Sequence, residues 1–82
     1  MTREDEQYYE AYFDLFLQPG WKQITQELSE ILQAYRIEDI KDEIDLARVQ
    51  GERSALFRLV NFESALKEAY ESILESESVE TL

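Results

Sequence analysis

The side chains in this sequence that could act as acids or bases are mostly carboxylates. Glu38, Asp42 and Asp45 are four and three residues apart, so a helix through them would place them on one side. A carboxylate pair in general acid–base catalysis needs a cleft that separates the two pKa values, and the residues around these three do not indicate one. We therefore interpret these acidic side chains as a solvated helix face.

Other catalytic and metal-binding patterns lack their key residues. The chain has no histidine and no cysteine, which excludes the commonest general base, the commonest metal ligand and every thiolate site. The sequence offers no histidine that could activate a serine as a nucleophile. The sequence has no glycine-rich phosphate loop and no calcium-binding loop. It predicts a protein that is not an enzyme, with no catalytic residues, no metal and no cofactor.

Length and charge narrow the class of protein. The chain has 82 residues, of which 44% are apolar, and a formal net charge of −11. This apolar content is too high for a disordered chain, and the charge disfavours direct nucleic-acid binding. A domain of this size buries a thin core, so we expect another chain to complete it. Because the acidic N-terminus is unlike a signal peptide and no apolar run could span a bilayer, we expect a cytoplasmic protein without a membrane partner.

Helical spacing of the apolar residues predicts an all-α fold, with one domain over residues 1–75 and a frayed acidic tail over 76–82. A first helix begins after Thr2 and runs to about Leu17, and a second begins at Pro19, so that the two form a hairpin. A turn near residues 36–39, with Asp39 as a cap, leads into the third helix. We expect this helix to be long and to reach about residue 73, unless Asn61 divides it and creates a fourth.

Gly51 lies inside the third predicted helix, where glycine costs about 1 kcal/mol relative to alanine. Small residues recur at every fourth position around it, which would let a second helix approach closely. Apolar residues extend this strip, and three arginines lie in the same stretch. The predicted self-association surface consists of Ile44, Ala47, Gly51, Ala55, Leu59 and Phe62, with Arg48, Arg53 and Arg58. The alternative is that Gly51 ends a helix as a left-handed cap.

Two further features indicate that a copy of the same chain covers this helix. A second apolar set lies around it, and one chain has too few helices to cover both faces; this set is Leu46, Val49, Leu56 and Val60. Residues 1–46 carry a charge of −8 and residues 61–82 carry −5, whereas residues 47–60 carry +2. Arginine forks in this basic stretch could pair with a partner's carboxylates. The sequence predicts a helical homodimer or a higher oligomer, and the alternative is three ordinary solvated arginines.

The segment from residue 8 to residue 21 contains six aromatic residues. An excess of such rings at a surface is typical of interaction hot spots. The second predicted site is therefore a docking surface for a larger protein partner, and it consists of Tyr8, Tyr9, Tyr12, Phe13, Phe16 and Trp21. The alternatives are a helix buried between its own neighbours and a pocket for a small molecule.

Two segments, YYEAYFDLFLQPGWKQI and EDIKDEIDLARVQGERSALFRLVNFESAL, resemble small acidic helical proteins encoded by tailed bacteriophages. The resemblance covers about residues 8–70. It implies an accessory of the virion head, portal or packaging machinery, or an early protein that disables a host system. It would place the protein in the host cytoplasm or the virion, and it transfers no functional residues.

Three functions follow from these observations. The preferred one is a non-enzymatic assembly module that binds itself and a larger protein. The alternative is an acidic inhibitor that imitates DNA and occupies a basic groove on a nucleic-acid-binding or defence protein of the host. A packaging-type DNA adaptor that gathers the three arginines in a ring channel is the least favoured, because the net charge opposes it.

Overall fold

The computed structural model describes residues 1–80, with side chains through Ser78. All regular structure in this range is helical, which confirms the all-α class. Helix α1 spans Arg3–Phe16, α2 spans Pro19–Ala34, α3 spans Glu43–Val60 and α4 spans Phe62–Glu80, and a 3₁₀ turn covers Ile37–Asp39. Helix α4 therefore takes in residues 76–80 of the expected tail, while residues 81 and 82 lie outside the described residues.

Local sequence signals explain where the helices begin. The Thr2 hydroxyl accepts a hydrogen bond from the Asp5 backbone N–H at 3.1 Å, and the Asp5 carboxylate accepts one from the Thr2 N–H at 3.0 Å. The hydrogen bond from the Thr2 N–H holds the pKa of Asp5 below its usual value. Pro19 is the first residue of α2, as predicted. The cap of α3 differs from the prediction: Asp42, whose carboxylate accepts from the Asp45 N–H at 2.8 Å, caps it, because Asp39 belongs to the 3₁₀ turn.

Asn61 divides the C-terminal part of the chain into two helices, so the single long helix that we preferred is wrong. Its side-chain amide donates to the Phe57 carbonyl at 2.8 Å, and its backbone N–H donates to the same carbonyl at 3.0 Å. The Asn61 backbone, with φ −95° and ψ 4°, leaves the helical range. The helical ladder resumes at once, since the Ala65 N–H donates to the Asn61 carbonyl at 3.0 Å. Helices α3 and α4 therefore meet at a bend and not at a loop.

The chain reverses between α2 and α3, and not between α1 and α2 as the predicted hairpin required. Tyr9 contacts Tyr70 while Phe16 contacts Phe62, so α1 runs antiparallel to α4. Helix α2 likewise runs antiparallel to α3. Trp21, near the start of α2, lies beside Phe62, just after the end of α3, and Tyr35, at the end of α2, bonds to Glu52 in the middle of α3. The first arm of the molecule is thus α1 followed by α2, and the second arm is α3 followed by α4.

The two arms lie side by side as a single layer of helices. Helix α1 packs lengthwise against α4, and α2 packs against α3. The described chain measures 56 × 29 × 17 Å, with a radius of gyration of 17.6 Å where a compact chain of this length has about 12 Å. A domain core is normally closed by a second layer, so this arrangement leaves apolar side chains open to solvent.

The buried core is confined to the α1–α4 half, which comprises residues 1–18 and 61–80. Among the described residues the buried apolar side chains are Tyr9, Phe16 and Leu66. Half-buried side chains surround them, namely Met1, Tyr12, Phe13, Trp21, Phe62, Tyr70 and Ile73. The other half, residues 19–60, contains no buried residue in α2, in the 3₁₀ turn or in α3. The core therefore lies in one half of the molecule, and the other half contributes Trp21 to its edge.

Helix α3 is continuous through Gly51, which is why the helix-cap alternative is wrong. Gly51 does not have a positive φ angle, and no atom lies within 4 Å of the position that its Cβ would occupy. The close helix contact that its sequence environment predicts is therefore not made within the chain. A contact with a second chain at this position stays a prediction.

Replacing Gly51 by alanine is expected to raise the free energy of unfolding by about 1 kcal/mol, because alanine loses less backbone entropy in a helix interior and meets open space here. Urea unfolding followed by circular dichroism measures the change. Gly20→Ala is the matched control, since Gly20 also has open space but lies in the first turn of α2, where its own N–H has no helical partner. A smaller gain is expected there. A loss of stability in Gly51→Ala would contradict the open environment of this glycine.

Candidate interaction surface

Most of the aromatic residues predicted to dock a partner pack into the chain's own core. The buried or half-buried members of that set are Tyr9, Phe16, Tyr12, Phe13 and Trp21. The ring centroids of Tyr12 and Phe62 are 5.0 Å apart, and those of Phe13 and Tyr70 are 5.1 Å apart, so these rings hold α1 against α4. Only Tyr8, at 52% exposed, keeps half of its surface in solvent. The structure agrees with the alternative interpretation of a helix buried against its own neighbours.

Phe62, predicted in the self-association surface, belongs to this aromatic core. Its ring centroid lies 5.0 Å from that of Tyr12 and 6.3 Å from that of Trp21. The next residue, Glu63, pairs with Lys67 at 2.7 Å and accepts a hydrogen bond from Trp21 Nε1 at 3.1 Å. The hydrogen bond from Lys67, and to a lesser degree that from Trp21, lowers the pKa of Glu63. The start of α4 is thereby tied to the start of α2, where the halves of the molecule meet.

The other predicted self-association residues lie along exposed faces of α3. Ile44 is 82% exposed and Leu59 is 42% exposed, while Ala47, Gly51 and Ala55 are also exposed. At 100° per residue, the strip formed by residues 44, 47, 51 and 55 faces away from α2. Because most of its side chains are small, this strip offers little apolar area to a partner.

The three arginines do not form one site. Arg48 is engaged within the chain, with Asp45 at 2.6 Å and Glu52 at 2.8 Å. Arg53 lies beside the open edge of the α2–α3 contact, and Arg58 is exposed near the end of α3. The positions are five residues apart, which distributes them around the helix, as the solvated-arginine alternative requires.

An open apolar groove runs along one edge of the α2–α3 contact. This α2–α3 groove has a volume of about 620 Å³ and is lined by Leu32, Ile37, Ile40, Leu46, Val49, Gln50, Arg53, Ser54 and Phe57. Ile37 is 86% exposed, Phe57 is 62% exposed and Leu46 is 39% exposed. None of the lining residues is acidic, although the chain contains 19 acidic residues. The groove is therefore an apolar surface of low negative charge.

Phe57 is one of the residues of this surface that the sequence-based prediction missed, as is Ile37. Residues 46, 50, 53 and 57 of α3 are separated by four, three and four positions, which places them on one face of the helix. That spacing was available in the sequence as a signal. The competing set at positions 46, 49, 56 and 60 has a similar helical spacing, so the two faces are hard to tell apart from the sequence.

A polar network crosses the opposite edge of the α2–α3 contact, which also holds an open pocket of about 300 Å³ between Ile31, Tyr35 and Arg48. The Tyr35 hydroxyl donates to the Glu52 carboxylate at 2.9 Å, and Arg48 bridges Glu52 and Asp45. The hydrogen bond from Tyr35, followed by that from Arg48, lowers the pKa of Glu52, and the same bond raises the pKa of Tyr35. The pKa of Asp45 is lowered chiefly by its hydrogen bond from Arg48. The network joins the end of α2 to the middle of α3 and leaves the groove edge open.

Charge separates between the two halves of the molecule. Residues 1–18 and 61–80 together carry a formal charge of −9, whereas residues 19–60 carry −2. The half with the aromatic core is thus strongly acidic, and the half with the open groove is close to neutral. An approaching molecule meets two different surfaces, one dominated by carboxylates and one by exposed apolar side chains.

No group of three or more acidic side chains within residues 1–80 is arranged to hold a metal ion. None of the helices in that range combines the length and the apolar content needed to cross a bilayer.

No protein-family model, no curated protein and no solved structure matches this chain. Its function must therefore be inferred from its own residues and their arrangement.

Tyr35→Phe is expected to raise the pKa of Glu52 toward its ordinary value, because the variant removes the hydrogen bond that stabilises the ionised carboxylate. Carboxyl-carbon NMR titration measures this pKa. Since the folded pKa of Glu52 is lowered, its contribution to stability is present above the unfolded pKa of about 4.3 and is lost as the pH falls through the folded value. The variant should therefore lose less stability in acid than the wild type.

Tyr8→Phe is the control for this titration. It makes the same chemical change, loss of a tyrosine hydroxyl, at a half-exposed position in α1 on the other half of the molecule. An unchanged Glu52 titration in Tyr35→Phe, or an equal shift in Tyr8→Phe, would contradict the role assigned to the polar edge.

Proposed function

We propose that this protein is a non-enzymatic association module, which works by binding to a copy of itself and to a larger protein. The observation that carries the proposal is the open half of the molecule. None of the residues in α2, the 3₁₀ turn and α3 is buried, yet residues 19–60 hold seven of the eleven large apolar side chains that are exposed among the described residues. An exposed apolar surface of this extent is typical of a protein that functions in a complex.

The energetic reason is the cost of hydrating apolar surface. Each square ångström of apolar surface removed from water contributes about 25 cal/mol. In the free chain the groove of about 620 Å³ leaves the apolar side chains of Ile37 and Phe57 largely in water, and burying them in a complex would be favourable. The α1–α4 half supports this surface, since its aromatic core ties the two arms together at one end. A partner that covers the groove completes what the single layer of helices leaves open.

The module is expected to form a dimer or a larger oligomer whose mass is the same at low and at high salt, because apolar contacts in the near-neutral half are not screened by ions. Light scattering behind a sizing column measures this mass against the 9.7 kDa of one chain. A monomer at both salt concentrations would contradict self-association.

A second candidate function is an acidic inhibitor that occupies a basic groove on another protein in place of DNA. The separation of charge favours it, because the α1–α4 half carries −9 of the total charge of −11. In this function the open half would have no role in recognition, which is why we prefer the association module.

The acidic candidate predicts that a lysine-rich peptide binds the α1–α4 half at low salt and is released at physiological salt. Fluorescence anisotropy measures the affinity. Charge reversal of Glu68 and Glu71 in α4 to lysine should weaken binding more than the matched reversal of Glu27 and Glu30 in α2, since all four are exposed and only the first pair lies on the acidic half. Equal losses would show that total charge, and not a site on α1–α4, attracts the peptide.

The resemblance to tailed-phage proteins stays a prediction. In that setting the association module would be an accessory of virion assembly or DNA packaging, and the acidic inhibitor would be an early protein directed against a host defence.

A further inference from the structure

We propose that the α2–α3 groove is closed by the same groove of a second copy of this chain, in a twofold-symmetric dimer whose two α3 helices pack antiparallel. The inference rests on the proposed function and gives that function a surface and a partner. It also differs from the sequence-based prediction, because the interface lies on the Phe57 face of α3 and not on the Gly51 strip.

The chain exposes more surface than a compact monomer of its mass. The chain exposes 6828 Å², whereas a compact monomer of 9.7 kDa exposes about 5,100 Å². The difference of about 1,700 Å² is about twice the 800 Å² that each partner contributes to a standard protein interface. A second copy offers a matching area of its own, so a dimer contact of standard size would bury about half of this excess on each chain.

The distribution of charge also directs a contact between two copies to the groove. Two copies bring together a charge of −22, twice the −11 of one chain, so their contact must lie where carboxylates are fewest. The groove has Arg53 in its lining and no acidic residue, and it lies in the half that carries −2. The acidic α1–α4 half of each chain, with −9, lies beyond α2 and α3 along the 56 Å length of the molecule. An antiparallel dimer therefore places the two acidic halves at opposite ends.

The groove face of α3 is complementary to itself. Leu46 and Phe57 are eleven residues apart, which is about three helical turns or about 16 Å. A twofold axis between positions 51 and 52 brings Phe57 over the partner's Leu46, and by symmetry Leu46 over the partner's Phe57. The same axis sets Gln50 opposite the partner's Arg53. The large side chains of Leu46 and Phe57 thus meet across the interface. The Arg53 guanidinium faces the side-chain amide oxygen of Gln50, which can accept its hydrogen bonds.

The Gly51 strip is less suited to this contact. Its members on the face away from α2 are small apart from Ile44, and it lacks a recess between two helices. The groove provides such a recess, and the exposed Phe57 lies beside it. In the dimer each copy can therefore place its Phe57 against the groove of the other.

The test compares two aspartate substitutions of exposed apolar residues on α3. Phe57→Asp should convert the dimer into a monomer of about 9.7 kDa, with unchanged helix content by circular dichroism, because residue 57 lies at the surface of a single chain. Ile44→Asp is the matched control, since residue 44 is more exposed but lies on the other face of the same helix. It should leave the dimer intact. Sedimentation equilibrium measures both masses.

The absence of cysteine allows a second, positional measurement. A mixture of the Leu46→Cys and Phe57→Cys chains, treated with a short thiol-to-thiol crosslinker, should give a covalent dimer. Each chain alone should not, because identical positions lie about 16 Å apart in the antiparallel arrangement. The products are separated by denaturing electrophoresis.

The outcomes separate this inference from the proposed function. A wild-type dimer that survives Phe57→Asp, or that dissociates in Ile44→Asp or Gly51→Leu instead, would overturn the groove contact and leave self-association standing. Crosslinking of the Leu46→Cys chain alone would overturn the antiparallel pairing. A monomeric wild type would overturn both the dimer and the self-association in the proposed function. Closure of the groove by a different protein in place of a second copy would overturn the groove dimer alone.

Discussion

The aromatic contact between α1 and α4 is the interaction on which the rest of the structure depends. Phe16 is only 3% exposed, and the rings of both helices interleave around it. Aromatic pairs of this kind contribute about 0.5–1.5 kcal/mol each beyond the burial of their surface. Because Trp21 and Phe62 belong to the same cluster, the contact also fixes the starts of α2 and α4. Without it the two arms would be joined by the chain reversal, by the α2–α3 contact and by single polar contacts, of Trp21 with Glu63 and of the N-terminal amine with Glu77.

That concentration of large rings in one half leaves the other half incomplete. Helices α2 and α3 meet along one edge through a polar network and remain open along the other, where Phe57 and Ile37 face solvent. The same half holds little net charge, so it lacks the repulsion that would keep copies of an acidic chain apart. Exposed apolar surface and low net charge therefore coincide in α2 and α3, while most of the net negative charge lies on α1 and α4.

Local features of the fold were predictable because their causes lie within a few residues. Thr2 and Asp5 form the capping box, Pro19 begins α2, and the residues around Gly51 favour a continuous helix. The sequence indicates Asn61 as a point of division, but only the structure shows that its backbone, with φ −95° and ψ 4°, interrupts the helix there. The aromatic cluster was recognised as well, although its assignment to a docking surface was wrong for the buried rings, since their contacts come from α4, about fifty positions away.

The sequence by itself determined that the chain is helical and acidic, and it located most of the helix ends. These properties depend on composition, on capping residues and on a period of 3.6, all of which act over short distances. The tertiary structure decided where the chain reverses, which apolar residues form the core and which remain exposed. An apolar stripe such as residues 46–57 has the same pattern whether it meets its own chain or a second one. Only the positions of the other helices show that α2 covers one side of α3 and leaves Phe57 open.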